Sequence, residues 1–144
     1  MSYTRHMRHA ALYVVVLGIA AIAPPVRAAQ HDEVAHRHMD AAKVQNPVPS
    51  SAKSIADGAT AYNRNCASCH GKTGLGDGPG GKQLNPKPAN LADAEWVHGT
   101  SDGEIYAVIR SGIPKSSMKG FASKMTEHEI WDVINYLRSI GPKQ

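Results

Sequence analysis

Aromatic side chains and cysteines are scarce in this sequence of 144 residues. It contains one Phe, two Trp and five Tyr, which predicts that some other apolar group fills the centre of the fold. Two cysteines permit one disulfide at most, so a scaffold held together by disulfides is excluded. The formal net charge of +4 is too small to indicate nucleic-acid binding.

The longest uncharged apolar stretch lies near the N-terminus. Arg5 and Arg8 precede residues 10–23, which carry no charge, and a segment with two prolines then leads to the small residue Ala28. This is the layout of a secretory signal peptide. A retained membrane anchor is the alternative, but a spanning helix needs roughly 20 apolar residues and this stretch is shorter. We therefore expect residues 1–28 to be removed after Ala28 on export to the periplasm.

Residues 29–53 are polar and end in prolines and serines, which predicts a flexible linker or arm. Removal of the predicted leader, residues 1–28, takes away three of the 16 basic residues and no acidic residue. The remaining chain then has 13 basic and 12 acidic residues. His31, His36, His38 and Met39 could form a loose metal site. A solvated tail is the interpretation we favour, because no packed framework supports such a site.

Residues 54–144 are predicted to form an all-α domain with three main helices and long loops. The first helix runs into the two cysteines, and the others begin with capping boxes at Ser101 and Thr126. No stretch alternates with the period of a β-strand. The apolar stripes expected to face the core are Ile55, Ala59, Tyr62 and Cys66 in the first helix, Ile105, Val108 and Ile109 in the second, and Ile130, Val133, Ile134, Leu137 and Ile140 in the third.

Residues 66–70 read Cys-Ala-Ser-Cys-His, the C-x-x-C-H pattern of haem attachment. Two thiols about one helical turn apart can each add across a haem vinyl group, and the following imidazole can reach the iron. Cys66 and Cys69 are therefore predicted to form thioethers, with His70 as the proximal axial ligand. A thioredoxin-like dithiol normally opens a helix after a strand, and a structural zinc site needs four ligands, so both alternatives explain the pattern less well.

Residues 71–81 are rich in glycine and contain a literal G-x-G-x-x-G. As a dinucleotide-binding signal this is very weak, because no strand precedes it and no helix follows it. A long loop in a compact domain usually surrounds something. We interpret it as chain that passes close to a flat cofactor.

The sixth position of the iron decides between electron transfer and ligand binding. Met118 lies in an irregular segment between the second and third helices and is the predicted distal ligand. His98 and an open sixth site are the alternatives. Met125 directly precedes the Thr126 cap and is expected to pack against Ile130 as a hydrophobic staple.

The sequence resembles the class I cytochromes c, particularly the small bacterial periplasmic type with one haem. The resemblance covers about residues 54–141. It rests on the segments AYNRNCASCHGKTGLGDGPGG, PKPANL, SDGEIYAVIRSGI, SMKGF and TEHEIWDVINYLRSI.

This resemblance implies that the first and last helices cross closely, with Gly58 and Tyr62 against Trp131 and Tyr136. It also implies that a proline carbonyl accepts the N–H of the proximal histidine. Pro88 is our first choice for that carbonyl, and Pro86 is the second. Relatives often have proline directly after the ligand methionine, where this chain has Lys119.

The function that these patterns predict is one-electron transfer by one covalently bound haem c. The partners would be redox proteins, and neither a nucleic acid nor a small-molecule substrate is expected. The chain would act as a monomeric shuttle or as a subunit of a larger dehydrogenase or reductase; a haem enzyme or gas sensor with an open sixth site is a further alternative. The lysines that could form a docking ring, or serve only solubility, are Lys72, Lys82, Lys87, Lys115, Lys119 and Lys124.

Overall fold

The computed structural model describes residues 38–94 and 96–141. Its α-helices are α1 (Ala52–Asn65), α2 (Ala67–His70), α3 (Asp102–Ser111) and α4 (Glu127–Ile140). Short 3₁₀ turns lie at Met39–Lys43 and Pro79–Gly81, and no strand occurs among the described residues. The predicted all-α fold with three main helices is therefore confirmed. The predicted leader and its cleavage point lie outside the described residues, as do His31 and His36.

The starts of α3 and α4 are held by the capping boxes that the sequence predicts. The hydroxyl of Ser101 accepts from the backbone N–H of Glu104, and that of Thr126 accepts from the backbone N–H of Glu129. Each glutamate in turn accepts from the backbone N–H of its cap residue. These reciprocal bonds satisfy N–H groups that a helix start otherwise leaves without partners.

Helices α1 and α4 cross at close range, as the resemblance implies. A methyl group added at Gly58 would lie 2.0 Å from the carbonyl oxygen of Asp132, so only glycine permits this approach of the two backbones. The rings of Tyr62 and Tyr136 meet at the crossing with centroids 5.1 Å apart. The ring of Trp131 stacks on Tyr106 of α3 with centroids 4.2 Å apart, and its expected contact with α1 stays a prediction.

The buried face of α1 differs from the predicted apolar stripe. Ile55, Ala59 and Cys66 are only half-buried, whereas the fully buried positions include two small residues that a hydrophobicity pattern does not select. The close crossing at Gly58 explains the difference, because α4 packs on the side of α1 where small residues allow contact. The buried positions of α1 are Ser54, Gly58, Ala61 and Tyr62.

The described part of the predicted arm is packed onto the helices. The side-chain amide of Asn46 donates to the carbonyl oxygen of Trp131 at 3.2 Å and to Oδ1 of Asn135 at 3.0 Å. Val48 packs against the hydrophobic core. A solvated tail was expected here, and these long-range bonds are what draw the segment onto α4.

The hydrophobic core lies between α1, α3 and α4. Met125 is buried in it beside Ile130, as the predicted staple requires. Within the described part of the chain, no helix has both the length and the apolar character needed to cross a membrane.

Candidate functional site

The C-x-x-C-H segment forms a tight turn at the end of α1. Cys66 donates its backbone N–H to the carbonyl of Tyr62, and its own carbonyl accepts from the N–H groups of Cys69 and His70 at 3.1 and 2.9 Å. Both cysteines are free and half-buried. The two thiols and the imidazole therefore leave the chain within one continuous helical turn.

The Cys66 thiol lacks the character of a redox-active thiol. Burial, with a smaller contribution from Cys69, raises the pKa of the Cys66 thiol to about 12. A reactive dithiol needs a lowered pKa, because the thiolate is the nucleophile. No group of three or more His, Cys, Asp or Glu side chains among residues 38–94 and 96–141 is arranged to hold a metal ion.

His70 is held in one tautomer by its hydrogen bond. Its Nδ1 lies 3.0 Å from the carbonyl oxygen of Ala89. Because a carbonyl can only accept, Nδ1 carries the proton and Nε2 keeps the lone pair that binds a metal. Burial lowers the pKa of His70, although the bond to Ala89 acts in the opposite direction. The neutral imidazole required of an iron ligand is therefore favoured.

The carbonyl that accepts from His70 belongs to Ala89, so the prediction of Pro88, with Pro86 as second choice, is wrong. The carbonyl oxygen of Pro88 faces Gly76, where an added methyl group would lie 2.5 Å from it. The Pro88 ring packs over Gly81. The carbonyls of Pro88 and Ala89 both lie near Gly76, and that of Ala89 is the one within hydrogen-bond distance of His70.

The glycine-rich loop approaches the attachment turn backbone to backbone. Gly76 donates its N–H to the carbonyl of His70 at 2.8 Å, and Gly78 donates to that of Cys69 at 3.1 Å. A methyl group at Gly78 would lie 2.4 Å from the carbonyl oxygen of Ser68. These glycines therefore allow the loop to fasten the turn that bears His70.

Met118 lies on a short turn between α3 and α4. Its carbonyl accepts from the N–H of Ile113 at 3.0 Å, and its N–H donates to Oγ of Ser116 at 3.1 Å. The residue is half-buried. Its role as distal ligand stays a prediction, as does the alternative of His98, which is also half-buried.

The remaining sequence candidates lie at the surface or in the core. His128 is exposed, with Nε2 3.6 Å from Oδ2 of Asp132 on the same helix. Met125 is buried in the core. The six lysines of the predicted docking ring, Lys72, Lys82, Lys87, Lys115, Lys119 and Lys124, are all exposed.

Comparison with known proteins decides the family. The sequence model of the family described as Cytochrome c matches residues 55–141. This chain belongs to the cytochrome c family. It is 32% identical over 89 residues to the cbb3-type cytochrome c oxidase subunit CcoP of Cereibacter sphaeroides, in an alignment that covers 60% of this chain and 27% of that protein. It is likewise 32% identical over 93 residues to subunit FixP of Azorhizobium caulinodans, with coverage of 60% and 29%.

Solved structures agree with the family and the fold. The cytochrome is similar to a chain of the Kuenenia stuttgartiensis reducing HAO-like protein complex, with a TM-score of 0.62 and 25% identity over 69% of this chain and 50% of that one. It is also similar to the KustC0563 c-type cytochrome, with a TM-score of 0.51 and 31% identity over 60% of this chain and 99% of that one. The chain spans less than a third of the length of the two curated relatives named above.

Haem c is the covalently bound cofactor of this family, and the site is suited to it. Two free thiols are present in the required spacing, and the following histidine keeps its Nε2 lone pair. The cytochrome c domain of this chain therefore has the residues that hold haem c covalently. The shortage of aromatic side chains in the sequence accords with a large flat cofactor as part of the core.

Proposed function

We propose that this cytochrome transfers one electron at a time through a haem held by Cys66 and Cys69, with His70 and Met118 as axial ligands. The observation that carries the proposal is the hydrogen bond from His70 Nδ1 to the Ala89 carbonyl. When bound, the haem supplies an iron that changes between the ferric and ferrous states. In a carrier, unlike an enzyme, a protein side chain occupies the sixth position of the iron, and other redox proteins supply and accept the electron.

His70 and Met118 have different tasks in this proposal. The bond to Ala89 fixes the imidazole ring and strengthens its donation through Nε2. The thioether of Met118 favours the ferrous state and raises the potential. If both groups stay bound in both oxidation states, little reorganisation accompanies the electron, and no position is left for a substrate.

The partners that suit such a domain are other redox proteins with an acidic docking surface. The exposed lysines would orient them through a small, short-lived interface, and no small-molecule substrate or nucleic acid takes part. Export to the periplasm, with cleavage after Ala28, belongs to the same proposal and rests on the sequence of the first 28 residues.

A second candidate is an electron-transfer subunit of a larger oxidoreductase. It is favoured by the relatives, since CcoP and FixP are subunits of cbb3-type oxidases and the Kuenenia chain is part of a protein complex. Native mass spectrometry of the protein purified from its own cells separates the two candidates. A free shuttle has the mass of one chain with haem, whereas a subunit remains with its partners.

A redox titration of the purified holoprotein tests the carrier function. We expect a single reversible wave with the slope of one electron, and we expect Met118→Leu to lower its potential by on the order of 0.1 V, part of the roughly 0.8 V range that axial ligands span. Met125→Leu is the matched control, because Met125 is buried in the core and should leave the potential unchanged. A shift in the Met125 variant and none in the Met118 variant would contradict the assignment of the distal ligand.

A further inference from the structure

Four consecutive carbonyl groups around the proximal histidine all have hydrogen-bond donors. Those of Cys69 and His70 accept from the backbone of the glycine-rich loop, as described above. The carbonyl of Gly71 accepts from the Tyr62 hydroxyl at 2.7 Å, and that of Lys72 accepts from the Tyr136 hydroxyl at 3.3 Å. The peptide that bears His70 is therefore held by two tyrosines as well as by the loop.

The two tyrosines differ in burial and in what they hold. Tyr62 is fully buried, with 0% of its surface exposed, whereas Tyr136 is half-buried and its bond to Lys72 is exposed. Water can replace the hydroxyl of Tyr136, whereas the buried carbonyl of Gly71 would keep only its longer bond from the N–H of Gly74, at 3.3 Å. Only the bond of Tyr62 is thus expected to constrain the segment strongly.

Tyr62 also holds the attachment turn at both of its ends. Its backbone carbonyl accepts from the N–H of Cys66 at 2.8 Å, and its hydroxyl donates to the carbonyl of Gly71. One residue of α1 is thus bonded to the first residue of the turn and to the residue directly after His70. Burial raises the pKa of the Tyr62 hydroxyl, so it remains a donor at any physiological pH.

We propose that Tyr62 is a positioning residue for electron transfer: by bonding both ends of the Cys66 to Gly71 turn, it holds the His70 imidazole in the orientation in which Nδ1 donates to Ala89 and Nε2 is directed at iron. This inference rests on the proposed function, in which His70 is the proximal ligand. Without the hydroxyl, the peptide at Gly71 shifts and the bond to Ala89 weakens. His70 then donates less to iron, which favours the ferrous state.

Tyr62→Phe in the holoprotein tests this inference, with Tyr136→Phe as the matched control that removes the same atom from the neighbouring ring. Both are measured under conditions in which the protein is fully folded, so that a change in stability alone moves neither readout. We expect Tyr62→Phe to shift the hyperfine-shifted proton resonances of the axial histidine. When the variant and the wild type exchange electrons, the equilibrium constant should favour the reduced variant by about threefold. That ratio corresponds to part of the free energy of one hydrogen bond. Tyr136→Phe should change neither quantity.

The outcomes separate this inference from the proposed function. If the wild type has no hyperfine-shifted histidine resonances that are lost in His70→Ala, His70 is not the ligand and both proposals fail. If the wild type has them and Tyr62→Phe leaves both these resonances and the exchange equilibrium unchanged, the proposed function stands and the role of Tyr62 is overturned.

Should Tyr62→Phe fail to mature with haem, hydrogen exchange in the wild-type holoprotein decides the question. The hydrogen bonds of the Tyr62 hydroxyl and of the Gly76 and Gly78 amides should open together, because they hold the same segment. After correction for intrinsic rates, a common opening equilibrium supports the inference. An opening equilibrium constant for the hydroxyl bond that is more than about tenfold larger than those of the amide bonds overturns the inference.

Discussion

Replacing both Cys66 and Cys69 by alanine is expected to abolish covalent attachment of haem completely. The only two cysteines of the chain are lost in this variant, so no thiol remains to form a thioether. Mass spectrometry under denaturing conditions checks the result, since wild-type chains should be heavier by one haem and the double variant should have the mass of the polypeptide alone.

Ser68→Ala is the matched control for this experiment, because Ser68 lies in the same turn and its side chain is exposed. It should retain covalent haem at the wild-type level. A double cysteine variant that keeps its haem through denaturation would show that another residue makes the attachment, and the site would then have to be assigned elsewhere.

Gly58→Ala is expected to destabilise the fold strongly. The added methyl group would lie 2.0 Å from the carbonyl oxygen of Asp132, and backbone atoms of α4 cannot yield without shifting the helix. We expect the free energy of unfolding to fall by about 3 kcal/mol, at the upper end of the usual cost of overpacking. Urea unfolding of the holoprotein, followed by circular dichroism, measures this change.

Gly141→Ala provides the comparison for Gly58→Ala. Gly141 has a negative φ at the end of α4, and a methyl group there would lie 3.3 Å from its nearest neighbour, the carbonyl oxygen of Leu137. The loss should be less than about 1 kcal/mol. Equal stability of Gly58→Ala and the wild type would mean that α1 and α4 do not approach each other as closely as described.

Features that depend on neighbouring residues could be predicted from the sequence. The capping boxes at Ser101 and Thr126 lie where they were expected, because a cap and its glutamate are only three residues apart. The C-x-x-C-H turn could be identified for the same reason. Local spacing alone was sufficient for these features, and they define both the fold class and the cofactor.

Features that depend on distant contacts could not be predicted in detail. The buried face of α1 is set by the approach of α4 at Gly58, and the segment around Asn46 is held by α4 residues more than 80 positions away. The acceptor of the His70 proton differs from the predicted one by a single residue, and which carbonyl reaches His70 depends on how this loop packs against Gly76 and Gly81. No local pattern encodes such a choice.

The bond of the Tyr62 hydroxyl illustrates the same limit. Helical spacing identifies Tyr62 as a core residue, and it is buried. Its hydroxyl meets Gly71 only because the chain turns back immediately after α2. A buried tyrosine needs a partner for its hydroxyl, and that requirement was the one signal in the sequence that a polar contact exists here.

The central claim, a carrier with both axial positions of iron occupied by protein side chains, is tested most directly by adding carbon monoxide to the ferrous holoprotein at neutral pH. We expect the visible spectrum of the wild type to stay unchanged, whereas Met118→Ala, which opens the sixth position, should bind carbon monoxide rapidly and completely. A rapid and complete spectral change in the wild type, equal to that in Met118→Ala, would contradict a carrier with two protein ligands and favour an enzyme or gas sensor.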